Sequence, residues 1–238
     1  MTIAYITDLH LEEELPPGID AEKNWQAVFE NLTHHNIDEI VIGGDIGLAN
    51  SHETFFDSLY GYSEKINITL GNHDSFDDVK KYYDNPEAKH RNELFYRYRF
   101  GKYDVFFLDS SSDTISRQQL DWLSDSLKDA KADVVIFIHH PILAVDSPVD
   151  AKYPLRNRAE LERLLRESGK EITIFCGHYH TTDEIADGNI RQFVTHAVSY
   201  QIEKGTVEIE RDISYFGYRI IYLDEAGITT ELISLRHQ

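Results

Sequence analysis

Five short polar clusters stand at the ends of apolar runs: "ITDLH", "VIGGD", "ITLGNHD", "IFIHHP" and "TIFCGHYH". Between them they hold Asp8, His10, Asp45, Asn72, His73, His139, His178 and His180. Carboxylate, amide and imidazole donors together, with no sulfur, suit Mn, Fe or Zn; Ca and Mg favour shells of oxygen alone. Asp8, His10, Asp45, Asn72, His139, His178 and His180 are more donors than one open catalytic cation needs. Two cations roughly 3.5–4 Å apart, sharing one carboxylate, would use them all. In "DLH" and "HYH", alternate residues of an extended chain point to the same side, so each pair can serve one centre. Gly43, Gly44, Gly71 and Gly177 precede the polar residues and let the backbone turn beside a bound group. A lone "DxH" or "HxH" in a chain with 12 histidines more often marks a surface turn. Five clusters that each close an apolar run carry much more weight.

The apolar runs "TIAYITD", "EIVIGGD", "KINITLGN", "DVVIFIHHP" and "EITIFCGHYH" read as strands. Trp25, Val28, Phe29 and Leu32 keep helical spacing within "AEKNWQAVFENLTHH". Further helices are expected through "ETFFDSLYGY", after Ser75, over "SRQQLDWLSDSL" capped by Ser116, and over "NRAELERLLRESG" stopped at Gly169. Gly101 and Lys102 separate two strand-like runs as a hairpin. From Ile190 onward "IRQFVTHA", "GTVEIERD", "GYRIIYLD" and "ITTELIS" all read as strand. Alternating strand and helix predict parallel crossover units, and the hairpin and tail predict antiparallel strands. The expectation is a mixed α/β chain with residues 1–238 as one domain. Sheets of this kind bind ligands beyond the carboxyl ends of their strands, where clusters distant in sequence can meet.

A net charge of −19 with no cluster of Lys and Arg argues against a surface for duplex nucleic acid. An anionic substrate would be drawn by bound cations instead. Cys176 is the only cysteine, which excludes an internal disulfide and a cysteine zinc cluster; it reads as a buried strand residue. No run approaches the roughly 20 apolar residues that span a bilayer. "TIAYITD" reads as a strand rather than a signal-peptide core, so a cytoplasmic protein without membrane contact is expected. His34 and His35 are read as solvated helix residues, and His52, His90 and His237 as solvated too. His140 reads as a strand-ending residue before Pro141, and the alternation of Tyr96, Arg97, Tyr98 and Arg99 as an edge strand.

The motif order D-x-H, GD, GNH, H and GH-x-H resembles the calcineurin-like metallophosphoesterases over residues 2–182. "LDSSSDTISRQQLDWL", "LRNRAELERLL" and "FCGHYH" are similar to the branch containing cyclic-nucleotide phosphodiesterases and glycerophosphodiesterases, and "VTHAVSYQ" and "GYRIIYLDEAGITT" are softer matches to it. The resemblance implies a four-layer α/β/β/α sandwich of two mixed sheets with a metal pair at one edge. It implies Asp8, His10, Asp45 and His180 on the first of two divalent or mixed-valence ions (Mn, Fe or Zn). Asp45 would bridge to the second, completed by Asn72, His139 and His178, while His73 would face the substrate as the catalytic acid. The implied reaction is phosphoester hydrolysis by a metal-bridging hydroxide. The implied substrate is a small anionic phosphodiester, a nucleotide or a glycerophosphodiester. A phosphomonoesterase, a nucleotide pyrophosphohydrolase and a non-catalytic metal-bound scaffold are the alternatives, and a homo-oligomer is compatible with each. In one respect the chain departs from the pattern. Many relatives carry an acid three residues after the "GD" aspartate, and the protein phosphatases follow it with arginine; here that place holds Leu48, in "GDIGLAN". Asp74 and Asn50 are then the candidates to support His73, and the missing arginine favours diesters. Loops at residues 12–18 and 144–153 are expected to set specificity.

Overall fold

A computed structural model describes residues 1–62, 65–88, 91–130 and 133–236; His90 and His237 fall outside the described residues. Its apolar runs form two mixed sheets. In the first, β1 (Thr2–Ile6), β2 (Glu39–Ile42) and β3 (Ile66–Ile68) run parallel, with Tyr5 opposite Val41 and Val41 opposite Asn67. Beside β1, the tail strands β12 (Phe216–Leu223) and β13 (Ile228–Leu235) add on antiparallel, giving the order β13-β12-β1-β2-β3.

The second sheet holds β4 (Tyr96–Phe100), β5 (Tyr103–Leu108), β6 (Asp133–Ile138), β7 (Ile172–Cys176), β8 (Asp183–Asp187) and β9 (Ile190–Val194). Its order is β4-β5-β6-β7-β9-β8, parallel from β5 through β9 and antiparallel at both edges. The hairpin turns at Gly101 as expected, with φ of 53°, and β4 is an edge strand.

Strand alternation assigns the two faces of this sheet. Val105, Phe107, Val135, Phe137 and Phe175 share one buried cluster with β1, β2 and β12, so they fill the space between the sheets. Phe106, Leu108, Val134, Ile136, Ile138 and Ile174 belong to a second cluster on the opposite face. Across the inner face Tyr96, Phe107, Phe137, Phe175 and Phe193 stack in a row, with centroids 4.5, 5.1, 5.5 and 5.2 Å apart. Offset stacking of this kind adds to the burial of each ring and fixes the register of neighbouring strands.

Helices close the outer faces. Asp20 caps α1 (Ala21–Leu32) by accepting from the Lys23 N–H at 3.0 Å, and Trp25, Val28 and Leu32 form its buried stripe. The Tyr218 hydroxyl, from β12, donates to Asn31 at 2.8 Å and ties this helix to the first sheet. Against the second sheet lie α4 (Arg117–Asp129) and α6 (Arg158–Glu167), through Leu120, Leu123, Leu127, Leu161 and Leu165. Ser116 caps α4 by accepting from the Gln119 N–H at 3.2 Å, and Gly169 follows α6 in the left-handed conformation that ends helices. Shorter helices are α2 (His52–Ser58), α3 (Phe76–Val79) and α5 (Pro148–Lys152). The layers are therefore α/β/β/α, as the sequence led one to expect.

Three expectations are corrected. α1 ends at Leu32, so His34 and His35 lie in the following turn rather than on a helix. His52 is not solvated: it is 1 % exposed and meets Phe56 and Tyr82 edge-on, because it shares the inward side of α2 with Phe55 while Glu53 and Thr54 are exposed. "GTVEIERD" contributes only β11 (Arg211–Asp212), paired with β10 (Gln201–Ile202), and Val207 within it is 87 % exposed. Beyond that two-residue pairing its alternating pattern joins neither large sheet. Among the described residues no helix is long and apolar enough to cross a membrane.

Candidate metal centre

Every residue of the expected set sits just past the carboxyl end of a parallel strand: Asp8 and His10 after β1, Asp45 after β2, Asn72 and His73 after β3, His139 after β6, and His178 and His180 after β7. The backbone there is bent in a way these residue types seldom adopt. Asp8, His10, Asp45, His178 and His180 all have φ between 47° and 68°. Each such non-glycine residue costs about 1–2 kcal/mol, a strain that the surrounding structure must hold in place. Here the loop after β1 is zipped onto the loop after β2. Leu9 and His10 both donate to the Asp45 carbonyl, at 2.9 and 3.0 Å, and Leu11 donates to Ile46 at 2.9 Å. Close approach explains two glycines: a methyl at Gly71 would overlap the Asp45 carboxylate, and one at Gly177 the Asp8 carboxylate.

The carboxylates and rings converge. Asp45 Oδ2 lies 3.1 Å from His139 Nε2 and 3.7 Å from His10 Nε2, and Asp8 Oδ1 lies 3.5 Å from His180 Nε2. Donor atoms of Asp8, His10 and His180 fall within 4.8 Å of one another, as do those of Asp45, His139 and His178 and those of His10, Asp45 and His73. His10 Nε2 and His180 Nε2 face each other at 3.1 Å. The remaining ring nitrogens show which atoms can bind a cation. His139 Nδ1 donates to the Gly43 carbonyl at 2.8 Å, His180 Nδ1 to Tyr200 at 2.9 Å, and His178 Nε2 to Tyr153 at 2.9 Å. A carbonyl only accepts, so these nitrogens carry the proton and the opposite ones are the atoms left to face a cation. That is how metal-binding histidines are held in proteins. Asn72 Oδ1 is buried without a hydrogen-bond partner, which a protein seldom tolerates unless something else occupies the site. The donor set fits metal cations.

Electrostatics follow the same division. Burial and then the neighbouring His139 hold His178 down at about 4. Burial, reinforced by His10, keeps His180 well below the usual imidazole range. Both rings are thus favoured in the neutral form that binds a cation. His139 differs from those two: it and Asp45 pair, so that against burial His139 holds Asp45 well below the usual carboxylate range and Asp45 with Asp8 pushes His139 up to about 10.

His73 is set apart. It is 44 % exposed, and its Nδ1 lies 3.1 Å from Glu13 Oε2. That hydrogen bond, against the effect of burial, pushes His73 up to about 9. Burial alone would raise Glu13, but its contacts with His10 and His73 hold it at about 2. The expected supports are therefore corrected. Asp74 caps backbone instead, accepting from Asp45 N–H at 2.8 Å, Gly71 N–H at 2.9 Å and Ile46 N–H at 2.9 Å. Asn50 is exposed at the surface. His140 does more than end a strand: its buried ring packs 4.0 Å from that of His178, with Nδ1 hydrogen-bonded to Ser110 at 2.9 Å. Of the loops expected to set specificity, the first supplies Glu13 and the second the Tyr153 carbonyl.

With this geometry in view, relatives can be compared. The chain is 29 % identical over 210 residues to a probable cyclic nucleotide phosphodiesterase of Fibrobacter succinogenes, covering 85 % of this chain and 82 % of that one. It is 26 % identical to a 3′,5′-cyclic-nucleotide phosphodiesterase of a Nostoc species, covering 98 % and 91 %. A dimetal phosphatase from Danio rerio shares the fold, with a TM-score of 0.68 at 13 % identity, covering 100 % of this chain and 99 % of that one. The sequence profile of the calcineurin-like phosphoesterases matches residues 1–182, and so the chain belongs to that family of metal-dependent phosphoester hydrolases.

Proposed function

We propose that the protein is a phosphodiesterase that uses two bound cations to hydrolyse a small nucleotide diester, a cyclic nucleotide in the first instance. The observation that carries the reading is the set of imidazoles that each tie one ring nitrogen to an acceptor and turn the other toward Asp8 or Asp45. Asp8, His10, Asp45 and His180 would hold one cation, and Asp45, Asn72, His139 and His178 the other, with Asp45 shared. Bound there, the pair supplies Lewis-acid charge for the phosphoryl group and a water acidified toward neutral pH.

The chain's own residues do the rest. Asp8 and Asp45 bring only two negative charges to a site designed for two dications, so the loaded centre attracts an anion despite the −19 of the whole chain. His73 is the open ring of the set, and with Nδ1 bound to Glu13 its Nε2 is the nitrogen left to meet a substrate. From there it can give a proton to the departing alkoxide, a step worth about 10²–10⁴ in rate. Residues 45–50 carry no Lys or Arg to pair with the second charge of a monoester, which supports the diester. The names of the curated relatives favour a nucleotide over a glycerophosphodiester.

A direct test loads the purified protein with Mn(II), Fe(II) or Zn(II), counts ions per chain by plasma mass spectrometry, and assays a panel. The panel holds 3′,5′-cyclic AMP and GMP, bis-p-nitrophenyl phosphate, p-nitrophenyl phosphate and a glycerophosphodiester. Two ions per chain and a kcat/KM at least tenfold higher on diesters are expected. Faster turnover of the monoester would replace the reading with a phosphomonoesterase. A fully loaded protein inert to every ester would leave an interaction scaffold.

A further inference from the structure

We propose that Glu13 is a positioning residue that sets one metal-facing ring and the substrate-facing ring at the same time; the idea rests on the phosphodiesterase reading above. A single carboxylate oxygen, Glu13 Oε2, lies 3.1 Å from His10 Nδ1 and 3.1 Å from His73 Nδ1. The two rings meet edge to face, 4.8 Å between centroids at 87°. Glu13 is only 13 % exposed, and its other oxygen, Oε1, is buried without a hydrogen-bond partner, so the carboxylate is committed to the two imidazoles through one atom.

The backbone makes this placement specific to one of three consecutive glutamates. His10 and Glu12 both adopt left-handed conformations, with φ of 53° and 60°. Between them Leu11 is pinned by Ile46, by Leu48 and by a bridge to Gly47. The chain then folds back so that the Glu13 N–H reaches the His10 carbonyl at 3.4 Å. That turn swings the Glu13 side chain across His10, whereas the Glu12 backbone N–H is drawn toward Glu22.

The chemical consequence is a shared choice of tautomer. An ionised carboxylate accepts only, so both Nδ1 atoms carry the proton. His10 Nε2 is then left with its lone pair toward Asp45 and His180, while His73 donates to Glu13 through Nδ1 and, when it also carries a proton on Nε2, offers that proton toward arriving substrate. Turning either ring breaks its own contact to that one oxygen. Removing Glu13 therefore strikes cation binding and leaving-group protonation together, through two residues it does not replace.

The test uses the full-length chain, stripped by chelation and reloaded with Mn(II), as wild type, Glu13→Ala and Glu13→Gln. Calorimetric titration with Mn(II) should show one site weakened about 10–100-fold in Glu13→Ala, the usual effect of removing a group that orients a ligand. A series of methyl aryl and methyl alkyl phosphodiesters, from p-nitrophenyl to simple alkyl leaving groups, should show kcat falling at least tenfold more for the poor leaving groups than for p-nitrophenyl. A loss confined to general destabilisation would not depend on the leaving group. If Glu13→Ala fails to fold, Glu13→Gln, which keeps the shape and loses the charge, is read by the same two measurements. Wild-type Mn(II) affinity together with a loss uniform across leaving groups would overturn the proposal. A wild type that binds two Mn(II) yet cleaves no diester would instead sink the phosphodiesterase reading, and the affinity measurement alone would then decide the role of Glu13.

Discussion

Asn72 and His73 are neighbours in the chain with opposite surroundings. The amide oxygen of Asn72 is buried and unpartnered, while the ring of His73 stands 44 % exposed with one nitrogen engaged by Glu13. Under the proposed mechanism, His73→Gln should lower kcat on an alkyl diester by about 10²–10⁴. Ion content by plasma mass spectrometry should stay at the wild-type value; a lost ion would make His73 a ligand. The ligand candidates could be read from the sequence because their types are unusual at strand ends and because they come in adjacent groups such as "DLH" and "HYH". Glu13 could not. It sits in the run "EEE" at positions 12–14, and only the left-handed turns at His10 and Glu12 single it out. Nor could sequence show that the Gly43, Tyr153 and Tyr200 carbonyls fix ring tautomers, since every residue has a carbonyl. His52 reads as solvated for the same reason: a histidine's burial depends on what packs over it, and pattern alone does not say.

At the scale of elements, loops rather than strands carry the precision. Asp74 accepts three backbone N–H groups, two from the loop after β2 and one from the loop after β3, and so holds Asp45 and Asn72 in mutual register. Asp74→Ala would leave all three donors buried and unsatisfied. At about 1–3 kcal/mol for each such group, partly relieved by water, the variant should lose about 3 kcal/mol or more. For a chain of this size each kcal/mol shifts the melting midpoint by about 2–4 °C, so a fall near 10 °C in a thermal melt is expected. A melt within 2 °C of wild type would show that these loops hold themselves. The strands and long helices followed from periodicity and caps, as Ser116 and Asp20 illustrate. "GTVEIERD" did not, because strand propensity is realised only through pairing with a neighbouring strand, and β11 pairs with the two-residue β10.

For the whole molecule, the decisive feature is where the donors are mounted. Asp8, His10, Asp45 and Asn72 hang from strands of the first sheet, and His139, His178 and His180 from strands of the second. Each proposed cation therefore takes ligands from both. Under that reading the ions would rivet a seam otherwise closed by aromatic packing, and reactivity and durability would depend on the same fastening. A species that binds only the folded chain stabilises it by about 4 kcal/mol at a thousandfold excess over its dissociation constant. Melting followed across a Mn(II) titration should climb steadily, and EDTA should return it to the floor; a midpoint blind to both would mean that the seam needs no fastener. In a cell starved of transition metal such a protein would stop as a catalyst and give up part of its stability by the same loss, so ion supply would set how much of it survives as well as how fast it works.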